Sequence, residues 1–151
     1  MKKLLLFAPL VLVFAAPPAG FNEWSADQLK TESEALRKTM KDGLANKTIA
    51  DWGNHQMLMI HREATGQAEF HAKQADLIIV RSGAASIKIG GKIMDGKTTA
   101  PNEIRGTSIE GAELHPLKEG DVMHIPANTP HQVMLETGQM VDYFAIKVDS
   151  K

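Results

Sequence analysis

The sequence predicts an all-β domain preceded by one amphipathic helix, and three observations carry that reading. Beyond Leu44, short runs of β-forming residues are separated by Gly, Pro, Asn and Asp turns at close spacing, the pattern of a sandwich or barrel. No long helices alternate with these runs, which argues against a parallel α/β sheet. The length of 151 residues suits one domain, and 43% apolar with 23% charged residues is globular composition that argues against a disordered or fibrous chain.

Taken in order, the chain opens with Lys2 and Lys3 and an apolar stretch from Leu4 to Ala16, broken by Pro9. Thirteen residues are too few to cross about 30 Å of hydrocarbon, which takes about 20 residues in a helix. Small residues follow at Ala15, Ala16, Ala19 and Gly20, the layout of a secretory signal peptide over residues 1–19. Cleavage after Ala15 or after Ala19 fits, and export to the periplasm or outside the cell is expected, with no stable membrane span afterwards. The absence of cysteine is compatible with an oxidising compartment.

Residues 20–52 are expected to hold a helix and a lead strand, and residues 53–148 the β-barrel. The helix is predicted within Phe21–Met40. Ser25 is a good N-cap, and Leu29, Leu36, Met40 and Leu44 recur at helical spacing. Lys30, Glu34, Arg37 and Lys41 fill the other face, and Gly43 supplies a stop. The stripe is expected to dock on the barrel. Strands are predicted over 55–62, 69–71, 77–81, 84–89, 92–94, 112–117, 122–125, 131–136 and 140–148. Ser82-Gly83, Gly90-Gly91, Asp95-Gly96, Glu119-Gly120 and Thr137-Gly138 read as turns between them. Thr98–Gly111, with Pro101 and Gly106, reads as a long ordered connection.

Charge and residue types narrow the chemistry. Seventeen basic residues stand against 18 acidic ones, and no basic block exists, so a nucleic-acid partner is not expected. Without cysteine there is no thiol nucleophile or zinc finger, and any metal must be held by His, Asp or Glu. No phosphate loop, nucleophile elbow or His-Glu-x-x-His motif occurs. Among the six histidines, His71 follows Glu69 by two residues, so both point to one face of a strand. A turn over 72–75 brings Asp76 back toward them. His131 follows a corner stiffened by Pro126 and Pro130, which suits a side chain held in a fixed direction.

These segments resemble the two sequence motifs of the cupin superfamily. The first family motif runs His-x-His, three or four residues, Glu, six residues, Gly. Here Glu69-x-His71, four residues, Asp76, six residues and Gly83 keep that spacing. The second runs Gly, five residues, Pro-x-Gly, two residues, His, three residues, Asn. Here Gly120, five residues, Pro126-x-Asn128, two residues and His131 match. The resemblance spans residues 56–148 and implies an antiparallel jelly-roll β-barrel with a site inside it. The departures are Glu69 for the first His, Asp76 for Glu, Asn128 for Gly and Leu135 for Asn. The first motif's leading Gly falls at Glu63, with Gly66 nearby. Pairing His71 with Lys73 instead would leave too short an interval to Asp76.

Carried over position by position, the metal-ligand candidates are Glu69, His71, Asp76 and His131. Two histidines with a carboxylate suit a divalent transition metal: Fe, Mn, Ni, Co or Zn. Asp76, one methylene shorter than Glu, either reaches the metal or orients a ligand. Pairing of Glu69 with His71 without a metal is the structural alternative. His55 and His61 share a face with Met57 and Met59, and a core face is expected there. His124 is expected to pack and His115 to have no role, while Arg105 either anchors an acidic ligand or braces the long connection. The leading expectation is an exported metal-binding cupin with a small-molecule pocket, acting as a dioxygenase or isomerase. The alternatives are a metal-free binding or sensor module for a sugar or small acid, and a barrel that only supports oligomers. A homodimer is expected, because cupin barrels often pair through sheet edges.

Overall fold

One strand serves both halves of the sheet. The structure, a computed structural model that describes residues 16–150, contains α1 (Ala26–Arg37) followed by β1 (Leu44–Asp51), β2 (His55–Arg62), β3 (Ala68–His71), β4 (Gln74–Ile89), β5 (Lys92–Met94), β6 (Lys97–Ala100), β7 (Glu103–Gly106), β8 (Ser108–Glu110), β9 (Glu113–Lys118), β10 (Val122–Ile125), β11 (His131–Met134) and β12 (Val141–Asp149). The first half of β4 pairs with β12 and β10, and the second half with β11 and β9. The curled antiparallel sheet runs β1-β2-β12-β4-β11-β3-β7-β6, with β9 and β10 also on β4 and a separate β5–β8 pair. This is the jelly-roll barrel architecture.

Alternation along the strands separates two apolar layers. Ile60, Ile78, Val80, Ile87, Tyr143 and Ala145 face the barrel interior. Met59 and Phe144 face the other way and pack with Leu36 and Ala45 under α1, flanked by Leu29 and Met40. The helix therefore docks through its predicted stripe. Ser25 closes a reciprocal cap with Gln28, each side chain bonding to the other's backbone N–H. Arg37 forms an ion pair with Asp142 on β12 and adds a polar anchor.

Several local expectations are corrected. The helix ends at Arg37 rather than Met40. Thr39 donates to the Leu36 carbonyl, and Asp42 and Gly43 take positive φ, so Leu44 starts β1 instead of continuing the helix. Ser82-Gly83 is an irregularity inside β4, not a turn. The register against β12 shifts there, between Asp142 and Tyr143. Gly83 has φ of 77°, and a Cβ on it would meet the Met140 carbonyl oxygen at 2.1 Å, so glycine supplies both conformation and close approach. Thr98–Gly111 is not an open connection but contains most of β6, all of β7 and all of β8. Residues 1–15, the body of the expected signal peptide, lie outside the described residues. Among the described residues no helix is long and apolar enough to cross a membrane.

Candidate metal centre and ligand cavity

Strand register assembles the site. His131 on β11 is the direct partner of Glu69 on β3, and Arg105 on β7 is the partner of Glu69 on its other side. Residues directly opposite in an antiparallel pair share a face, so His131, Glu69 and Arg105 line up across three strands. His71, two residues beyond Glu69, joins that face. Potential ligand atoms of Glu69, His71 and His131 all lie within 4.8 Å of one another. On the facing part of the sheet Asp76 and Lys147 are themselves cross-strand partners, on β4 and β12. Asp76 Oδ2 stands 3.6 Å from His71 Nε2 and 3.3 Å from His131 Nε2. The four sequence-predicted residues are thus gathered in one place.

The second motif is tied directly to the first. The Asn128 N–H donates to the His71 carbonyl at 2.9 Å. Asn128 has φ of 62°, the left-handed conformation for which the family motif uses glycine and which Asn tolerates better than most residues. The Thr129 carbonyl lies 3.1 Å from His131 Nδ1. A proton on Nδ1 donated to that carbonyl orients the ring, so that Nε2, which faces Asp76, would offer its lone pair to a metal once its own proton has left.

Charge in the site is heavily paired. Lys147 Nζ lies 2.9 and 3.1 Å from the two Asp76 oxygens and 3.0 Å from His71 Nε2. Arg105 donates to Glu69 at 2.9 Å and to Glu103 at 2.6 Å. Burial of Glu69 works to raise its pKa. The hydrogen bond with His71 and the charges of Arg105, His131 and Lys147 outweigh that and bring it to about 2. Burial also opposes ionisation of Asp76, but His131 and Lys147 hold its pKa below the ordinary value. Tyr143 is shifted upward, chiefly by burial and also by the nearby charges of Glu69 and Asp76, with Arg62 opposing. Both acids are therefore carboxylates at neutral pH, and Tyr143 keeps its phenolic proton.

A cavity of about 50 Å³ opens beside the cluster, lined by Arg62, Glu69, Asp76, His131, Tyr143 and Lys147 among others. His71 lines a second recess together with Lys73, Pro101, Asn102 and Glu103. The donor chemistry fits a divalent transition metal, since two imidazole nitrogens and one or two carboxylates can converge on one point. One feature works against it: the Lys147 ammonium already contacts His71 Nε2 and Asp76, so it must swing aside where His71 turns its lone pair to an ion.

Arg105 braces rather than lying open, since Glu69 and Glu103 hold it. His61 belongs to a separate buried network, with Nδ1 2.8 Å from Asp142 and Nε2 3.0 Å from Glu63. His124 is exposed, not packed: β10 turns Val122 and His124 outward and buries Ile125. Lys147, Arg62 and Tyr143 carry no motif in the sequence. The signal for them is the alternation Tyr143-Ala145-Lys147 and Ile60-Arg62, which puts polar side chains on an otherwise apolar inward face.

No protein-family model and no curated relative matches the sequence. Solved structures do share its architecture. KdgF from Halomonas sp. superposes with a TM-score of 0.51 at 17% identity, over 74% of this chain and 85% of that one. A cupin-like protein from Thermotoga maritima gives 0.51 at 18%, over 70% and 68%. The polyketide cyclase RemF from Streptomyces resistomycificus gives 0.50 at 13%, over 71% and 66%. At these identities the likeness is one of fold, and with the two spaced motifs built around one interior site, the chain has the cupin fold.

Proposed function

We propose that this protein is an exported cupin enzyme that binds a divalent transition metal and a small molecule inside its barrel. Glu69, His71 and His131 are its metal ligands, with Asp76 held beside them by Lys147. The observation that carries the reading is the convergence of ligand atoms from Glu69, His71 and His131 within 4.8 Å, next to a cavity. Bound there, a metal supplies Lewis acidity toward a substrate oxygen. The chain's own groups supply proton transfer. Lys147 Nζ and the Asp76 carboxylate form a hydrogen-bonded pair at the cavity wall, and the Tyr143 hydroxyl is a proton-bearing group on the same wall. Such a set favours moving a proton within a small molecule, as an isomerase does, over a dioxygenase reaction. We also infer a homodimer through the strand edges of the barrel, where unpaired backbone groups favour association.

One observation favours a second reading, a metal-free binding module. The Lys147 ammonium, bonded to Asp76 and 3.0 Å from His71 Nε2, already provides a cation at the cluster. Titration with Co(II) separates the two. A His₂-carboxylate site gives saturable visible absorption at one equivalent. A flat spectrum to several equivalents would make the binding module the better account.

A further inference from the structure

Arg62 is a buried guanidinium with no carboxylate to match it among the described residues. It lies on β2, faces inward with Ile60 and is 8% exposed. Its one side-chain partner among the described residues is the neutral Tyr143 hydroxyl, which accepts from Nε at 3.3 Å. The two acids of the cavity are already engaged, Asp76 by Lys147 and Glu69 by Arg105. A buried charge without a counter-charge is unfavourable, and the outer nitrogens of Arg62 are the groups left to receive one. The local chain makes room for them. A Cβ on Gly66 would lie 2.7 Å from Arg62 Nη1 and 2.9 Å from Cζ. The guanidinium therefore rests against a position that only glycine leaves open, in the wall of the same cavity.

We infer that the cavity takes the carboxylate of a short organic acid, with Arg62 as its anchor. A guanidinium presents paired N–H donors that match a carboxylate fork, and the match is strongest away from water. The cavity is small, about 50 Å³, which suits a short acid or the carboxylate end of a longer one. The bound acid would lie between Arg62 and the cluster of Glu69, His71 and His131. The inference rests on the reading of this cavity as the ligand site, but it does not need the metal.

The test is calorimetric titration of the full chain with pyruvate and with its neutral amide, both as purified and after metal removal. Pyruvate binding in both forms is expected, with pyruvamide at least tenfold weaker. Arg62→Met, which keeps an apolar stem and removes the charge, should weaken pyruvate at least tenfold, and Arg62→Lys should retain part of the affinity. Gly66→Ala provides an independent variant, because it leaves the charge in place and only pushes the end of a flexible side chain. It should weaken pyruvate severalfold while the far-ultraviolet spectrum stays unchanged. Pyruvate bound by Arg62→Met and Gly66→Ala as tightly as by wild type overturns the proposal. So does binding that vanishes on metal removal but ignores Arg62, which would place the carboxylate on the metal. Arg62-dependent binding in a protein that never holds metal would sustain the proposal and remove the metal reading instead.

Discussion

Lys147 stands directly across from Asp76 in the pairing of β12 with β4, and its ammonium nitrogen lies 2.9 Å from one carboxylate oxygen and 3.1 Å from the other. The same nitrogen is 3.0 Å from His71 Nε2. The pair joins two sheet segments that are 71 residues apart in the chain. It also sets the charge that any metal must meet. Together with His131, the ammonium keeps Asp76 ionised, and it repels a second cation.

Lys147→Met separates these effects. Without metal the variant leaves Asp76 buried with His131 as its remaining partner, at a cost of about 2 kcal/mol. With a divalent ion present the lost cation is replaced, so the melting temperature should recover and the metal should bind more tightly than in wild type. Thermal melts with and without Co(II) measure both. A variant as stable as wild type in metal-free buffer would mean that the pair contributes little.

The docking of α1 rests on Leu36, buried against Met59 and Phe144. Leu36→Ala removes that contact and should cost about 2–4 kcal/mol, lowering the melting temperature by several degrees. Lys30→Ala on the exposed face should change it little. Equal melting curves for Leu36→Ala and wild type would show that the helix does not contribute to the stability of the barrel.

Asp142 should make stability depend on acid. Burial raises its pKa, but hydrogen bonds from Ser82, Arg37 and His61 outweigh this and hold it below its ordinary 3.8. A carboxylate depressed on folding contributes stability that is fully present above the unfolded value and is lost as pH falls through the folded one. Asp142→Asn should therefore cost about 2 kcal/mol at pH 7 and progressively less below pH 4. Urea denaturation of both proteins across that range tests the sign. A gap that stays constant down to pH 3 would contradict it.

Export makes a direct prediction for residues 1–19. Protein recovered from its native host should begin after Ala15 or after Ala19, and N-terminal sequencing reads this. An intact Met1 on a cytoplasmic pool would exclude export.

Much of the site was legible because strand geometry is periodic. Glu69 and His71 are two residues apart on one strand and must share a face, and the proline corner before His131 gives that residue a fixed approach. What the sequence did not disclose depends on pairing between distant strands. Lys147 near the chain end reads as an exposed lysine until β12 is known to lie beside β4, and Arg62 reads as the charged end of a strand until Tyr143 is beside it. Gly83 looked like a turn because the left-handed conformation serves a turn and a strand irregularity equally well. The three- and four-residue strands β6, β7 and β8 are too short for alternation to show, and Pro101-Asn102 dominates that region as a turn.

The metal centre itself is tested most directly at His131. It is the one ligand candidate from the second motif, and the preceding histidine, His124, is exposed on β10. Removing it leaves one imidazole with carboxylates, a set that holds transition metals much more weakly. The measurement is elemental analysis of wild type, His131→Ala, Asp76→Ala and His115→Ala, purified side by side without chelators. The account predicts metal in wild type and in His115→Ala, a partial loss in Asp76→Ala, and near-complete loss in His131→Ala. Equal metal content in His131→Ala and wild type would contradict it.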